Sequence, residues 1–350
     1  MTTNELAQNW DRLCDELREF GHEALAFADD IDQSEGIRHA LRFLAHLADH
    51  EIEYADPTHP EFRRVLTATR KFYGDGVDID YDSACISPDH TYRVCGTRGT
   101  IPYLAFLVNR RSKTDRIAGN LIDADLAIQP DGTFEFWLSK EPQEGPGVLL
   151  DDRCNEVVVR QYHHDRAAEI PVTYSIEVVE SASPARPQLE SDWLSERLAR
   201  IARGLEVAPA RLRQLIDVLQ REPNTCMDIT DALGTNAFFG TESNQYRWVY
   251  FTLSDDESLE IRLPPVSARH VGVQIFNRWF ESLEFRDHVT SLNDRQLTCD
   301  ADGFATVRVG GPIDATNRLD ATGHRQGFLV VRYLECRGNA PIPTCTVVTH

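Results

Sequence analysis

Four short motifs occur twice along this chain, in the same order and at nearly the same spacing. Ser87-Pro88-Asp89-His90-Thr91-Tyr92-Arg93-Val94 parallels Ser254-Asp255-Asp256-Glu257-Ser258-Leu259-Glu260-Ile261. Leu107-Val108-Asn109-Arg110 parallels Ile275-Phe276-Asn277-Arg278, and Pro130-Asp131-Gly132-Thr133-Phe134 parallels Ala301-Asp302-Gly303-Phe304-Ala305. Val158-Val159-Arg160-Gln161-Tyr162 parallels Val330-Val331-Arg332-Tyr333-Leu334. Most of these are short β-branched or aromatic runs bounded by turn residues, the pattern of antiparallel strands. An ordered repeat of such runs predicts two copies of one β domain. A jelly-roll-like sandwich fits the strand lengths and the alternation that fills a core between two sheets.

Two other stretches read as helix. Leu6, Trp10, Leu13, Leu17, Phe20, Ala24 and Phe27 recur every three or four residues and share one helix face. Ile37, Leu41, Leu44 and Ala48 repeat the pattern, with Asp32 or Ser34 as N-cap. Ala55-Asp56-Pro57-Thr58-His59-Pro60 interrupts it, and a third helix is expected over Glu61 to Lys71. Residues 181–188, rich in Ser, Ala and Pro, read as a linker. A helical hairpin follows near 190–204 and 208–222, with Leu194, Leu198 and Ile201 marking the face of the first helix and Leu212, Leu215, Ile216 and Leu219 that of the second. The expected class is mainly β with helical additions (α+β). The expected division is a helical region over 1–75, a first sandwich over 76–182, linker and hairpin over 183–240, and a second sandwich over 241–350.

Composition narrows the partners. A net charge of −20 repels phosphate backbones and anionic lipid heads, so no nucleic acid and no membrane partner is expected. No run approaches the roughly 20 consecutive apolar residues of a membrane helix. The first residues lack a basic, apolar, small-residue leader pattern, which places the expectation in the cytoplasm. The eight cysteines are scattered without a C-x-x-C pair, so neither a zinc site nor a disulfide framework is expected.

The chain resembles bacterial proteins carrying domain of unknown function 1214, a domain often found with domain of unknown function 1254. The resemblance rests on Ala55-Asp56-Pro57 with Pro60-Glu61-Phe62, on Gly74 to Tyr81, on Tyr92-Arg93-Val94 with Gly96, and on Gly119-Asn120-Leu121 with Asp131-Gly132. In the second half it rests on Phe276 to Leu283 and Gly323-His324-Arg325-Gln326-Gly327. It spans about residues 34 to 335. It implies a helical part with two β-sandwich domains and implies little about activity. Members often carry Asn-Pro-Asp-Asn before the tyrosine, where this chain has Gly76-Val77-Asp78-Ile79.

The residues most suited to chemistry lie in Asn277-Arg278-Trp279-Phe280-Glu281-Ser282. Arg278 has the donor fork to hold an anionic oxygen. Glu281 is an acid or base if burial raises its pKa. Asn277, Trp279 and Phe280 would line a pocket. The same residues equally describe an internal Arg–Glu pair pinning a strand end over packed aromatics. Tyr81 would donate a proton or orient a carbonyl beside Asp78, or the two are core and turn residues. His324 and Arg325 sit in a glycine-flanked loop that suits proton transfer, or His324 caps backbone carbonyls there.

His163-His164-Asp165 invites a metal reading, but neighbouring strand residues face opposite ways, and no metal is expected. No nucleophile elbow, phosphate loop or dinucleotide fingerprint is present, and no cofactor is expected. Two function classes follow. One is a cofactor-independent acid/base enzyme (lyase, isomerase or hydrolase) acting on a small, largely apolar terpenoid, steroid-like or polyketide compound. The other is a non-catalytic ligand-binding or scaffolding sandwich. Either leaves room for a homodimer.

Overall fold

Helix α1 (Thr3–Leu25) buries Leu13, Phe20 and Ala24, the face its spacing predicts, while Trp10 is exposed. These features come from a computed structural model that describes residues 3–112, 115–179, 185–186, 188–233 and 243–350. Helix α2 (Asp30–Ala48) turns differently from the sequence expectation. Its buried residues are Asp32, Gly36, His39, Ala40, Phe43 and Leu47, and Leu41 faces solvent. The hydrogen bonds of Asp32 with Trp279 and Gln326, and of His39 with Glu281, set that rotation. A π turn, Asp49–Glu53, extends the helix.

The helix expected over Glu61 to Lys71 does not form. Arg63–Arg64 make a short strand, β1, opposite Ser83 and Asp82. The Arg64 guanidinium lies 2.7 Å from Asp80 and 2.6 Å from Asp82. Strand pairing and these ion pairs override a weak helical propensity. The expected hairpin is one helix instead, α3 (Ser191–Leu219), with Pro209 inside it. Proline removes one N–H from the ladder, but Leu205, Ala208, Leu212 and Leu215 are buried in succession across it. Continuous burial of that face outweighs the missing bond. Of the expected linker, residues 181–184 and 187 lie outside the described residues. No helix among the described residues is long and apolar enough to cross a membrane.

The chain divides into two compact units, each assembled from three separated stretches. The first takes Met1–Asp15, Leu44–Thr67 and Ile79–Arg203; the second takes Glu16–Phe43, Ala68–Asp78 and Gly204–His350.

The first unit carries β2 (Ile79–Cys85), β3 (Tyr92–Thr97), β4 (Tyr103–Arg110), β5 (Ile117–Ile122), β6 (Thr133–Ser139), β7 (Gly147–Leu149), β8 (Cys154–Tyr162) and β9 (Thr173–Val178). One sheet has the order β1-β2-β8-β4-β5 and the other β7-β6-β3-β9. Inward side chains of both, among them Val94, Phe106, Phe136, Val157 and Val159, form one buried cluster, as in two sheets packed face to face.

The second unit carries β10 (Asn244–Thr252), β11 (Glu257–Leu263), β12 (His270–Phe276), β13 (Ser291–Asn293), β14 (Ala305–Gly310), β15 (Arg318–Leu319), β16 (Gln326–Leu334) and β17 (Thr344–Thr349). Its sheets run β10-β16-β12-β13 and β15-β14-β11-β17. Val249, Ile261, Val273, Val307 and Val331 fill the core between them. The protein is thus mostly β with helical additions. Taken in chain order, β2 to β9 and β10 to β17 occupy matching sheet positions, down to the parallel pairs β6–β7 and β14–β15.

Candidate functional site

Strand β12 runs into the loop that holds the Asn277–Ser282 motif, in the second unit. One side chain shapes the loop. The Asn277 Oδ1 accepts from the backbone N–H of Trp279 and of Glu281, each at 3.0 Å. Its backbone N–H donates to the Glu281 carbonyl, and the Phe280 N–H returns to the Asn277 carbonyl. Phe280 adopts a left-handed φ of 56° to close this turn. Its carbonyl is held by the Gly74 N–H at 2.8 Å. The Asn277 amide also donates to Glu35 at 2.8 Å.

Trp279 and Glu281 of the loop point toward helix α2. Trp279 is 2% exposed and donates through Nε1 to the Asp32 carbonyl at 2.8 Å. Its indole meets Phe27 edge-on at 5.2 Å and stacks on His39 at 5.8 Å. Glu281 is fully buried, with one oxygen 2.8 Å from His39 Nδ1 and the other accepting from Arg42 at 2.6 Å. Below it, the buried Lys71 donates to the carbonyls of Ser282 and Leu283, each at 2.9 Å. Asp75 accepts from the Ser282 N–H at 2.8 Å and from its hydroxyl at 2.6 Å. Burial pushes the Asp75 carboxyl above its ordinary range and pulls Lys71 below its own.

A second group of charges stands at the margin of this network. The Arg278 guanidinium covers the Phe27 ring at 4.3 Å, a cation–π arrangement. Its Nη1 lies 3.7 Å from Asp32, which also accepts from Gln326 at 2.9 Å. Burial raises the Asp32 carboxyl, and the Arg278 charge only partly offsets this. His324 Nε2 is 2.9 Å from Glu35, and its Nδ1 is 2.9 Å from the Ala321 carbonyl. Both ring nitrogens face acceptors, so the site favours the imidazolium. Burial pulls the His324 pKa down, but the hydrogen bond and charge of Glu35 overcome it and the net shift is upward. Glu35 moves the opposite way: burial raises it, and His324 then carries it below its ordinary value.

Asn277, Arg278, Trp279, Glu281 and His324 therefore join one network, with Phe280 packed on Trp248, Phe276 and Phe328. The network is largely buried. Arg325 stands apart, its side chain 64% exposed and paired with Asp255. Asp78 lies 3.5 Å from His270 Nε2. Tyr81 belongs to the first unit, on β2 beside Arg160, whose guanidinium is 5.7 Å from its ring. In that unit His163 stands between Asp80 and Glu169 at 3.3 and 3.2 Å. Sequence reasoning missed the partners Asp32, Glu35, His39 and Arg42. Their three- and four-residue spacing is the signal that would have found them.

The first unit also carries an open groove of about 1030 Å³ on the outer face of the β7-β6-β3-β9 sheet. Trp137 of β6 forms one wall with Gly145 and Pro146. Outward residues of β3, β6 and β9 make the floor: Arg93, Thr133, Glu135, Thr173 and Ser175. Arg93 sits 3.1 Å from Glu135 and 3.4 Å from Glu177. An indole edge beside hydroxyls and a charged pair offers an apolar surface and polar anchors together.

No family model matches the chain, and no curated protein matches it. Among solved structures it is similar to an uncharacterized protein from Burkholderia cenocepacia, with a TM-score of 0.92, 28% sequence identity and coverage of 99% of both chains. It is also similar to the VPA0106 protein from Vibrio parahaemolyticus, with a TM-score of 0.52 and 12% identity over 97% of this chain and 100% of that one. The second likeness is one of fold alone.

Proposed function

We propose that this protein is a non-catalytic small-molecule binder whose ligand lies in the groove of the first unit. The observation that carries this reading is the groove itself, walled by Trp137 and floored by Arg93, Glu135 and three hydroxyl side chains. Its ligand would be a small molecule with one apolar face, to lie against the indole, and a polar edge, to meet the floor. The acid and base groups of the second unit favour this reading indirectly, because Glu281 and Asp75 have their oxygens engaged inside the protein.

The test is native mass spectrometry for co-purified molecules, then thermal-shift screening of polar-edged apolar metabolites on wild type and Trp137→Ala. A ligand that stabilises wild type and not the variant supports the groove. Equal shifts in both proteins, or none across the panel, overturn it.

A second reading is acid/base chemistry on a small, largely apolar metabolite of terpenoid, steroid-like or polyketide type. The His324–Glu35 pair favours it, being a proton-holding pair near the margin of the network. Turnover that follows the ionisation of His324 and vanishes in His324→Gln would support this reading over simple binding.

We also read the two sandwiches as tandem jelly-roll-like copies, and the chain as a relative of proteins with domain of unknown function 1214. The matching strand orders support duplication. So do the equivalent turns before β6 and β14, where Gly132 and Gly303 take φ values of 87° and 82°.

A further inference from the structure

A group of cysteines in the second unit plays no part in the network or the groove. Cys345 on β17 lies directly opposite Ile261 on β11. Opposed residues of an antiparallel pair share a face, and Ile261 is fully buried, so Cys345 points into the sandwich core. Cys226 is buried in the same cluster, just before Met227, whose backbone bridges Trp248 in both directions at 2.9 Å. Both thiols thus belong to one core cluster, close enough that each bears on the other's ionisation.

The surroundings suit thiolate chemistry. The buried Arg247 is fixed by Asp228 at 2.8 Å and by the Ala340 carbonyl, and its charge acts on Cys226. Its Nε has no hydrogen-bond partner among the described residues, and neither has the nearby Tyr333 hydroxyl. Cys345 is half-buried, which admits a small oxidant, while Cys226 is 7% exposed. The neighbouring Cys226 draws Cys345 toward the thiolate, while Cys345 and then burial hold Cys226 protonated.

We propose that Cys226 and Cys345 form a peroxide-oxidisable dithiol that closes to a reversible disulfide. The Cys345 thiolate attacks one oxygen of hydrogen peroxide, the O–O bond breaks, and a sulfenic acid forms as hydroxide leaves and takes a proton to become water. Cys226 loses its proton and attacks the sulfenic sulfur, the S–O bond breaks, and a second water leaves as the S–S bond forms. The two thiols give up two electrons and two protons, and one peroxide becomes two waters.

The test treats the folded full-length chain with hydrogen peroxide, blocks remaining thiols by alkylation, and maps linked peptides under non-reducing conditions. The expected result is a loss of two hydrogens from the intact mass with a single Cys226–Cys345 cross-link. A thiol reductant would reverse it, and it would be absent from Cys226→Ser and Cys345→Ser. Mapping on wild type needs no variant to fold. Full alkylation of both thiols after peroxide would overturn the proposal. So would a link to the neighbouring Cys336, or sulfinic acid at Cys345 with no link.

Discussion

Gly36 lies against the Trp279 indole so closely that a Cβ at position 36 would come within 2.4 Å of the ring, and within 2.6 Å of the Ala24 methyl. Helix α2 can seat the indole only because position 36 lacks a side chain. Two effects compete in Gly36→Ala. Alanine gains about 1 kcal/mol of helix propensity. Overpacking a filled core costs about 1–3 kcal/mol. Trp279 is pinned by its hydrogen bond to Asp32 and has no room to retreat, so the upper part of that range applies. The variant is expected to unfold at lower urea with an unchanged m-value. Stability equal to or above wild type would show that the indole can move.

Glu281 gives a second prediction. Its carboxylate is fully buried between His39 and Arg42. Removing one partner of a buried pair typically costs about 3–5 kcal/mol, because the remaining charge is stranded. Glu281→Ala should lose stability on that scale, measured by chemical denaturation. A Glu281 variant that kept full stability while losing a measured activity would mark the residue as functional rather than architectural.

The strands and α1 were legible because their signals are local: alternation, turn residues, and an apolar face at helical spacing. The failures share a cause. The Ile37–Leu41–Leu44 face of α2 was read from apolarity alone, while the structure buries Asp32 and His39 on another face. Polar residues turn inward when distant partners such as Glu281 and Gln326 await them, and no local pattern names those partners. The duplicated motifs show a subtler limit. Matching Asn109-Arg110 to Asn277-Arg278 sets Leu107 in the place of Ile275. The ladders instead pair Val108 with Val157 and Ile275 with Leu329, which makes Val108 the equivalent residue when Val159 is matched to Val331. Asn109 likewise stands opposite Glu156, the place that Phe276 rather than Asn277 takes opposite Phe328, and such a one-residue slip is invisible in a residue match.

Trp137 and Trp279 make a paired prediction. The Trp279 ring is enclosed, so Trp279→Ala should cost about 3–5 kcal/mol, as aromatic truncations in cores do. Trp137 lies on an outer sheet face beside the groove, so Trp137→Ala should cost about 1 kcal/mol, the ordinary scale for a point substitution. Parallel urea titrations compare them directly. Similar large losses would mean that the Trp137 indole supports the sandwich rather than the groove.

The His324–Glu35 pair predicts how stability responds to pH. The folded pKa of His324 is raised above its ordinary 6.5. Its contribution is therefore fully present below that value and is lost as pH rises through the raised folded value. The folded pKa of Glu35 is lowered below its ordinary 4.5. Its contribution is present above that value and is lost as pH falls through the lowered one. The pair thus stabilises most between the two ordinary values. Wild-type stability should fall from mildly acid toward alkaline pH by more than that of His324→Gln, which keeps a neutral donor but cannot hold the extra proton. Denaturant midpoints for both proteins across that range measure the difference. Parallel curves would mean that His324 binds the same number of protons folded and unfolded, and that Glu35 does not raise its pKa.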